Sequence, residues 1–198
     1  MTTSRSQAKA ARRAELLDAA ARLMARRGFT SVRLEDIAAE VGISGPAVYR
    51  HFSAKNEVLD ELLLAISERL QAGGRSVVAE GGTPLQVLGN LVEFHIDVLV
   101  TKPDLIAIQD RDLASLTPGA HHRVRLLQRQ YVEIWVRVIT AATVDNGGVA
   151  LSDDEARVRA HATFGLLNSS PRLPDFGVER LRSLLTAMAL AALLVDID

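Results

Sequence analysis

Apolar residues recur along this chain at three- and four-residue intervals almost from end to end. That spacing sets one face of an α-helix against a core, and no stretch alternates convincingly as a strand. Leu16, Ala19, Ala20, Leu23 and Met24 form the first stripe, closed by Gly28, a residue type that ends helices readily. Leu34, Ile37, Ala38 and Val41 form a shorter one, closed by Gly42. Ser44 is placed to cap a third, short helix through Ala47, Val48, Tyr49, Arg50, His51 and Phe52, with Pro46 tolerated in its first turn. Ser53 and Glu57 suit the start of a fourth helix, whose apolar face runs Leu59, Leu62, Leu63, Ile66, Leu70. Gly73-Gly74 and Gly81-Gly82 then loosen the chain around 73–84, the best candidate domain boundary.

Longer helices follow: 87–100, a short one over 104–115, an amphipathic one over 120–143 and, after the turn Asp145-Asn146-Gly147-Gly148, one opened by Ser152 and Glu155 at capping-box spacing and running to Asn168. The stretch from Ser169 to Pro174 reads as a loop, and a last helix runs from about Val178 to Val195. The fold class expected is all-α.

Composition narrows the function classes. Apolar residues at 48% and charged residues at 24% are the mix of a water-soluble globular protein. With no cysteine, a disulfide scaffold, a thiolate zinc site, an iron–sulfur cluster and a cysteine nucleophile are excluded. The segment MTTSRSQAKAARR has no apolar core of the secretory kind, and Leu184–Val195, the longest apolar run, is too short to span a bilayer. The expectation is a cytoplasmic protein with no membrane partner. Charge is uneven: residues 1–55 hold ten basic and five acidic side chains, and the rest of the chain is net acidic. A basic first quarter on an acidic body suggests a nucleic-acid-binding head, or more simply a solvated basic helix face.

Residues 28–55, GFTSVRLEDIAAEVGISGPAVYRHFSAK, tip that balance. A short helix, a glycine turn and a second short helix make a helix-turn-helix. The small residues Gly45, Pro46 and Ala47 permit close approach to base edges, and Tyr49, Arg50 and His51 supply donors. Here the sequence resembles the TetR family of bacterial transcriptional regulators, over about residues 12–70. The matches are Gly28-Phe29, Ile37-Ala38, Val41-Gly42-Ile43-Ser44, Ala47-Val48-Tyr49, His51-Phe52, Lys55 and Leu59.

The resemblance implies a three-helix DNA-binding domain over residues 1–55, a connecting helix over 53–72, and an all-helical ligand-binding and dimerisation domain over 73–198. Carried over by position, Gly45, Pro46 and Ala47 face the major groove, and Ser44 beside them is a further DNA-binding residue. Tyr49 and Arg50 contact phosphates or a base, and Lys55 a phosphate. The chain departs from the family at Arg33, where Thr or Ser is frequent. Arginine cannot cap a helix N-terminus, so the expectation is a charge contact from Arg33 or, instead of it, a hydroxyl from Ser31 or Thr30.

In the body, polar residues stand within apolar helices: His95 beside Phe94, Gln109 near Asp110 and Arg111, Tyr131 and Trp135 on the long helix, and His161, Phe164 and Asn168 on one face of the penultimate helix. These eight — Phe94, His95, Gln109, Tyr131, Trp135, His161, Phe164 and Asn168 — are the candidate effector-binding residues, and the expectation is a cavity among the helices that carry them. Each also has a plain alternative: a satisfied core histidine, an Asp110–Arg111 ion pair, aromatic core. His121 and His122 point to different helix faces, and no phosphate loop or nucleophile elbow occurs. No metal, no cofactor and no catalysis are expected. Residues 184–195, LLTAMALAALLV, are apolar nearly all round, which suits a homodimer through the last two helices, with two recognition helices roughly 34–36 Å apart on a palindromic DNA operator. The reading is a regulator, a repressor released by a small apolar or amphipathic effector. The alternatives are a DNA-binding dimer without small-molecule control and a helical enzyme.

Overall fold

The computed structural model describes residues 2–169 and 176–195, with side chains from Ser6 onward, and these residues are helical with no strand. In chain order the helices are α1 (Thr2–Arg27), α2 (Leu34–Glu40), α3 (Gly45–Val48), α4 (Lys55–Glu80), α5 (Pro84–Thr101), α6 (Pro103–Asp112), a 3-10 turn (Leu113–Ser115), α7 (Pro118–Asp145), α8 (Asp153–Asn168) and α9 (Val178–Leu193). None of them is long and apolar enough to cross a membrane. The chain forms two compact units: one runs to Ile66 and takes in Asp104–Arg123, the other comprises Ser67–Pro103 and the chain from Val124 onward.

In the first unit the α1 stripe Leu16, Ala19, Ala20, Leu23 and Met24 is buried, with Ile37, Ala38, Val48, Phe52, Leu59 and Leu63. Gly28 adopts φ 84 and its N–H returns to the Met24 carbonyl, the αL ending that a side chain would strain. Gly42, at φ 70, reverses the chain between α2 and α3. Arg33 stands at the N-cap of α2 without a side-chain cap bond, and its own N–H donates to Asp36 Oδ2 at 2.9 Å. The third helix is shorter than its pattern suggested. Arg50 N–H and His51 N–H bond three residues back, to Ala47 and Val48, so the backbone tightens into turns after Val48.

Ser53 does not cap α4 with its oxygen; its hydroxyl and N–H both donate to Glu57 Oε2. Nor does α4 end at residue 72. It continues to Glu80, through Gly73-Gly74, and the break comes at Gly81 and Gly82, where φ is 77 and 123. The first glycine pair serves close approach instead. A β-carbon on Gly73 would strike the ring of Phe94, and one on Gly74 would lie 2.6 Å from Tyr131 Cε2.

In the second unit, Thr83 and Gln86 close a reciprocal capping box at the start of α5. Ser152 accepts the Glu155 N–H at the start of α8, as its spacing indicated. Helix α9 packs on α5 and α8 through buried Leu185, Ala189 and Leu193. Ser169 follows α8, its N–H bonding back to Leu166; the rest of the expected loop to Pro174 lies outside the described residues.

Candidate functional sites

The helix-turn-helix presents its candidate residues unequally. Pro46, Arg50, Arg33 and Ser44 are exposed, Gly45 and Ala47 half-buried. The Ser44 hydroxyl makes no cap bond to α3, and the Arg50 guanidinium has no hydrogen-bond or ion-pair partner among the described residues. Tyr49 is 52% exposed, yet its hydroxyl is engaged, donating to Glu35 Oε1 at 2.7 Å. That bond draws the Glu35 carboxyl below the ordinary carboxylate range and raises the phenol. Gly45 packs under the Glu35 stem, with its missing β-carbon 3.2 Å from Cγ. Glu35 is therefore part of this surface, and nothing in the periodicity of α2 marked it.

Lys55 is also tied inward. Its Nζ donates to the carbonyls of Phe29 at 2.6 Å and Thr30 at 3.2 Å and lies 4.3 Å from the Phe29 ring centroid, a cation–π distance. The turn after α3 is held from beneath by Arg13, missed in the sequence. Its guanidinium lies over the Phe52 ring, bonds the His51 carbonyl and pairs with Glu57 and Glu61. His51 Nδ1 is buried without a hydrogen-bond partner. Burial first, then the cations Lys9, Arg13, Arg12 and Arg50, hold its pKa below the ordinary histidine value.

The second candidate site is an aromatic cluster in the second unit. The rings of His95 and Tyr131 stack on Phe164 at centroid distances of 5.1 and 5.7 Å. Trp135 meets Phe164 edge-on at 5.0 Å, and His161 meets it edge-on at 6.4 Å. Asn168 Oδ1 lies 3.3 Å from His95 Nε2 and Tyr131 Oη 3.1 Å from His95 Nδ1. A carboxamide oxygen only accepts, so Nε2 carries the proton and Nδ1 accepts from the phenol. Burial pulls His95 down to about 4, the Asn168 bond opposing it, and burial pushes Tyr131 up. The site is uncharged at neutral pH. Trp135 Nε1 and Thr163 Oγ1 are buried in this unit with no hydrogen-bond partner; Thr163 was not legible as a site residue.

Of the eight effector candidates, His95, Tyr131, Trp135, Phe164 and Asn168 come together, with exposed His161 at the margin. Phe94 turns its ring onto Gly73. Gln109 belongs to the other compact unit, its Oε1 buried and unpartnered. Arg111 pairs with Asp112 rather than Asp110 and donates to the Met24 and Ala25 carbonyls that end α1. Adjacency suggested the first partner; the second acid lies on the side where the guanidinium meets those carbonyls.

Residues 16–62 match the family model of bacterial regulatory proteins, tetR family, and residues 81–172 that of a tetracyclin repressor-like C-terminal domain. The chain is 31% identical over 138 residues to the HTH-type transcriptional repressor KstR2 of Rhodococcus jostii (strain RHA1), covering 69% of this chain and 68% of that protein. It belongs to the TetR family. With KstR2 of Mycobacterium tuberculosis (strain ATCC 25618 / H37Rv), this TetR-family chain is 40% identical over 129 residues, 65% of its own length and 64% of its relative's. The solved structure of the ketosteroid transcriptional regulator KstR2 of Mycobacterium tuberculosis superposes with a TM-score of 0.79 at 25% identity, covering 91% of this chain and 93% of that one. The TetR-family member described here is a DNA-binding transcriptional regulator.

Proposed function

We propose that this regulator is a repressor that binds a palindromic operator as a homodimer and leaves it when a small apolar or amphipathic molecule binds. Residues 1–55 carry the DNA contacts, led by Pro46, Arg50 and Tyr49, and residues 73–198 bind effector and partner subunit. The observation that carries the effector reading is the cluster of buried His95, Tyr131 and Trp135 with half-buried Phe164, aromatic and neutral, with an unmet donor at Trp135 Nε1. Such a place suits a ring-bearing molecule with a neutral hydrogen-bond acceptor. A ketosteroid, for which the Mycobacterium tuberculosis neighbour is named, has that chemistry.

Support for the dimer comes from α8 and α9, where Val158, Leu184 and Met188 are 69%, 46% and 45% exposed, with Ala187 and Ala191 also exposed. An apolar face of this size on a solitary chain asks for cover. Helix α4 carries residues of both compact units, so displacement of Tyr131 from Gly74 acts on the helix that also holds Glu57 and Glu61 against Arg13.

Selection from a random duplex pool with the purified chain yields the operator, and fluorescence anisotropy then tests release. A palindromic consensus and a polycyclic ketone that weakens operator binding support the reading. By linkage, operator must weaken ketone binding by the same factor. A non-palindromic site, or operator affinity indifferent to a broad panel of apolar and amphipathic molecules, overturns it.

A further inference from the structure

Where α4 ends, α5 begins and α7 passes, the second unit leaves an open groove of about 510 Å³. It arises because Gly81 and Gly82, both at positive φ, turn the chain between two helices. Val78, Val87, Ile134 and Val138 wall it, and Arg75 and Arg137 are the charged side chains that line it. Among the described residues no carboxylate does. Glu80 and Glu133 adjoin lining residues along the chain, and Asp145 lies a turn beyond Ala141; none of the three lines the groove, Glu133 already pairs with Arg157, and Asp145 accepts the Leu85 N–H.

Elsewhere in this unit, Arg157, Arg159 and Arg182 each hold a carboxylate within 3.0 Å. The guanidinium groups of Arg75 and Arg137 have no ion pair and no hydrogen bond among the described residues. Two unpaired guanidinium groups on one apolar groove are complementary to a molecule with an anionic head and an apolar chain. Each fork accommodates a carboxylate through two parallel N–H···O bonds. The volume falls in the range of small-molecule sites, about 300–1,000 Å³.

We propose that this groove binds a free straight-chain fatty acid, its carboxylate on Arg75 and Arg137 and its chain along the four apolar walls. The groove shares no lining residue with the His95 cluster, and the proposal does not depend on the effector reading.

Isothermal titration of the full chain with decanoate, below its micellar concentration, tests it. The expected result is one saturable site per chain, weakened by salt, and at least tenfold weaker in both Arg75→Gln and Arg137→Gln. 1-Decanol, which keeps the chain and loses the charge, should bind at least tenfold more weakly. Ala141→Trp, which fills the groove from α7, should abolish binding. Circular dichroism and the unliganded Tm of each variant report folding, and the decanoate-dependent rise in Tm is a second readout. No decanoate binding to the wild-type chain, equal binding of decanol, or undiminished binding in the arginine variants overturns the proposal. So does loss of decanoate binding in Phe164→Ala with retention in Arg75→Gln, which places the fatty acid in the aromatic cluster.

Discussion

The guanidinium of Arg159, on α8, closes the carboxyl end of α9: Nη1 donates to the Leu193 carbonyl at 3.1 Å and to that of Val195 at 2.7 Å. The last carbonyls of a helix have no partner within it, and here a buried side chain from the neighbouring helix supplies one. Nη2 meanwhile pairs with Glu155 Oε1 at 2.7 Å. Arg159→Met keeps the stem and removes the donors, leaving acceptors stranded at about 1–3 kcal/mol each. The expected loss is about 2–3 kcal/mol in urea unfolding. A change under 1 kcal/mol would mean that water serves those carbonyls equally well.

His95 makes stability depend on pH. Its folded-state pKa is about 4, below the usual histidine value of about 6.5. Above that value it is neutral in both states and contributes no pH dependence. As pH falls from there toward 4, the unfolded chain takes up a proton that the folded chain refuses, so stability falls with falling pH. The expected loss from this group alone is roughly 1–2 kcal/mol between pH 6.5 and 5. Wild-type chain and His95→Gln, unfolded in urea across that range, should differ in slope by this amount; parallel curves refute it.

Helical glycines in this chain respond oppositely to alanine. On Gly74 a β-carbon would stand 2.6 Å from Tyr131 Cε2 and 3.7 Å from Ile134 Cδ1. Overpacking of about 1–3 kcal/mol then outweighs the gain of about 1 kcal/mol in helix propensity. On Gly89, in α5, nothing lies within 4 Å, so alanine should stabilise by about 0.5–1 kcal/mol. Thermal unfolding of Gly74→Ala and Gly89→Ala should shift in opposite directions.

Lys55 and Arg50 should separate stability from DNA binding. Lys55→Met loses two carbonyl bonds and the cation over Phe29 and should cost about 1–3 kcal/mol of stability, besides weakening DNA binding. Arg50 is exposed, so Arg50→Ala should leave stability within about 0.5 kcal/mol and weaken operator binding, with a shallower salt dependence if the contact is a phosphate. Calorimetry and anisotropy on the same preparations decide; an Arg50→Ala chain with wild-type operator affinity removes Arg50 from the interface.

On α9, Ala191→Arg places a charge among exposed Leu184, Ala187 and Met188. Sedimentation equilibrium should find the wild-type chain at twice its 21.4 kDa mass and the variant near that mass, still helical by circular dichroism and unable to hold a palindromic operator. A wild-type monomer at micromolar concentration defeats the dimer.

The features legible in the sequence are those whose interactions close within a few residues. Gly28 and Gly42 announce their turns because positive φ is a local demand, Ser152 its cap because its acceptor lies three residues on, and the α1 and α5 stripes their faces because helical period repeats locally. Gly73-Gly74 was misread for the complementary reason. A glycine pair marks either a turn or a close approach, and what distinguishes them here is the position of Phe94 and Tyr131, which arrive from other helices. The same holds for Arg13 between Glu57 and Glu61, Lys55 on the Phe29 carbonyl, Tyr49 on Glu35, and Arg159 on the end of α9. Each is a long side chain whose partner depends on which helix faces meet. Hydrophobic period sets which face of a helix is buried; the packing of one face on another then sets which polar tips at its margin reach an acceptor, and only the tertiary structure contains that second choice.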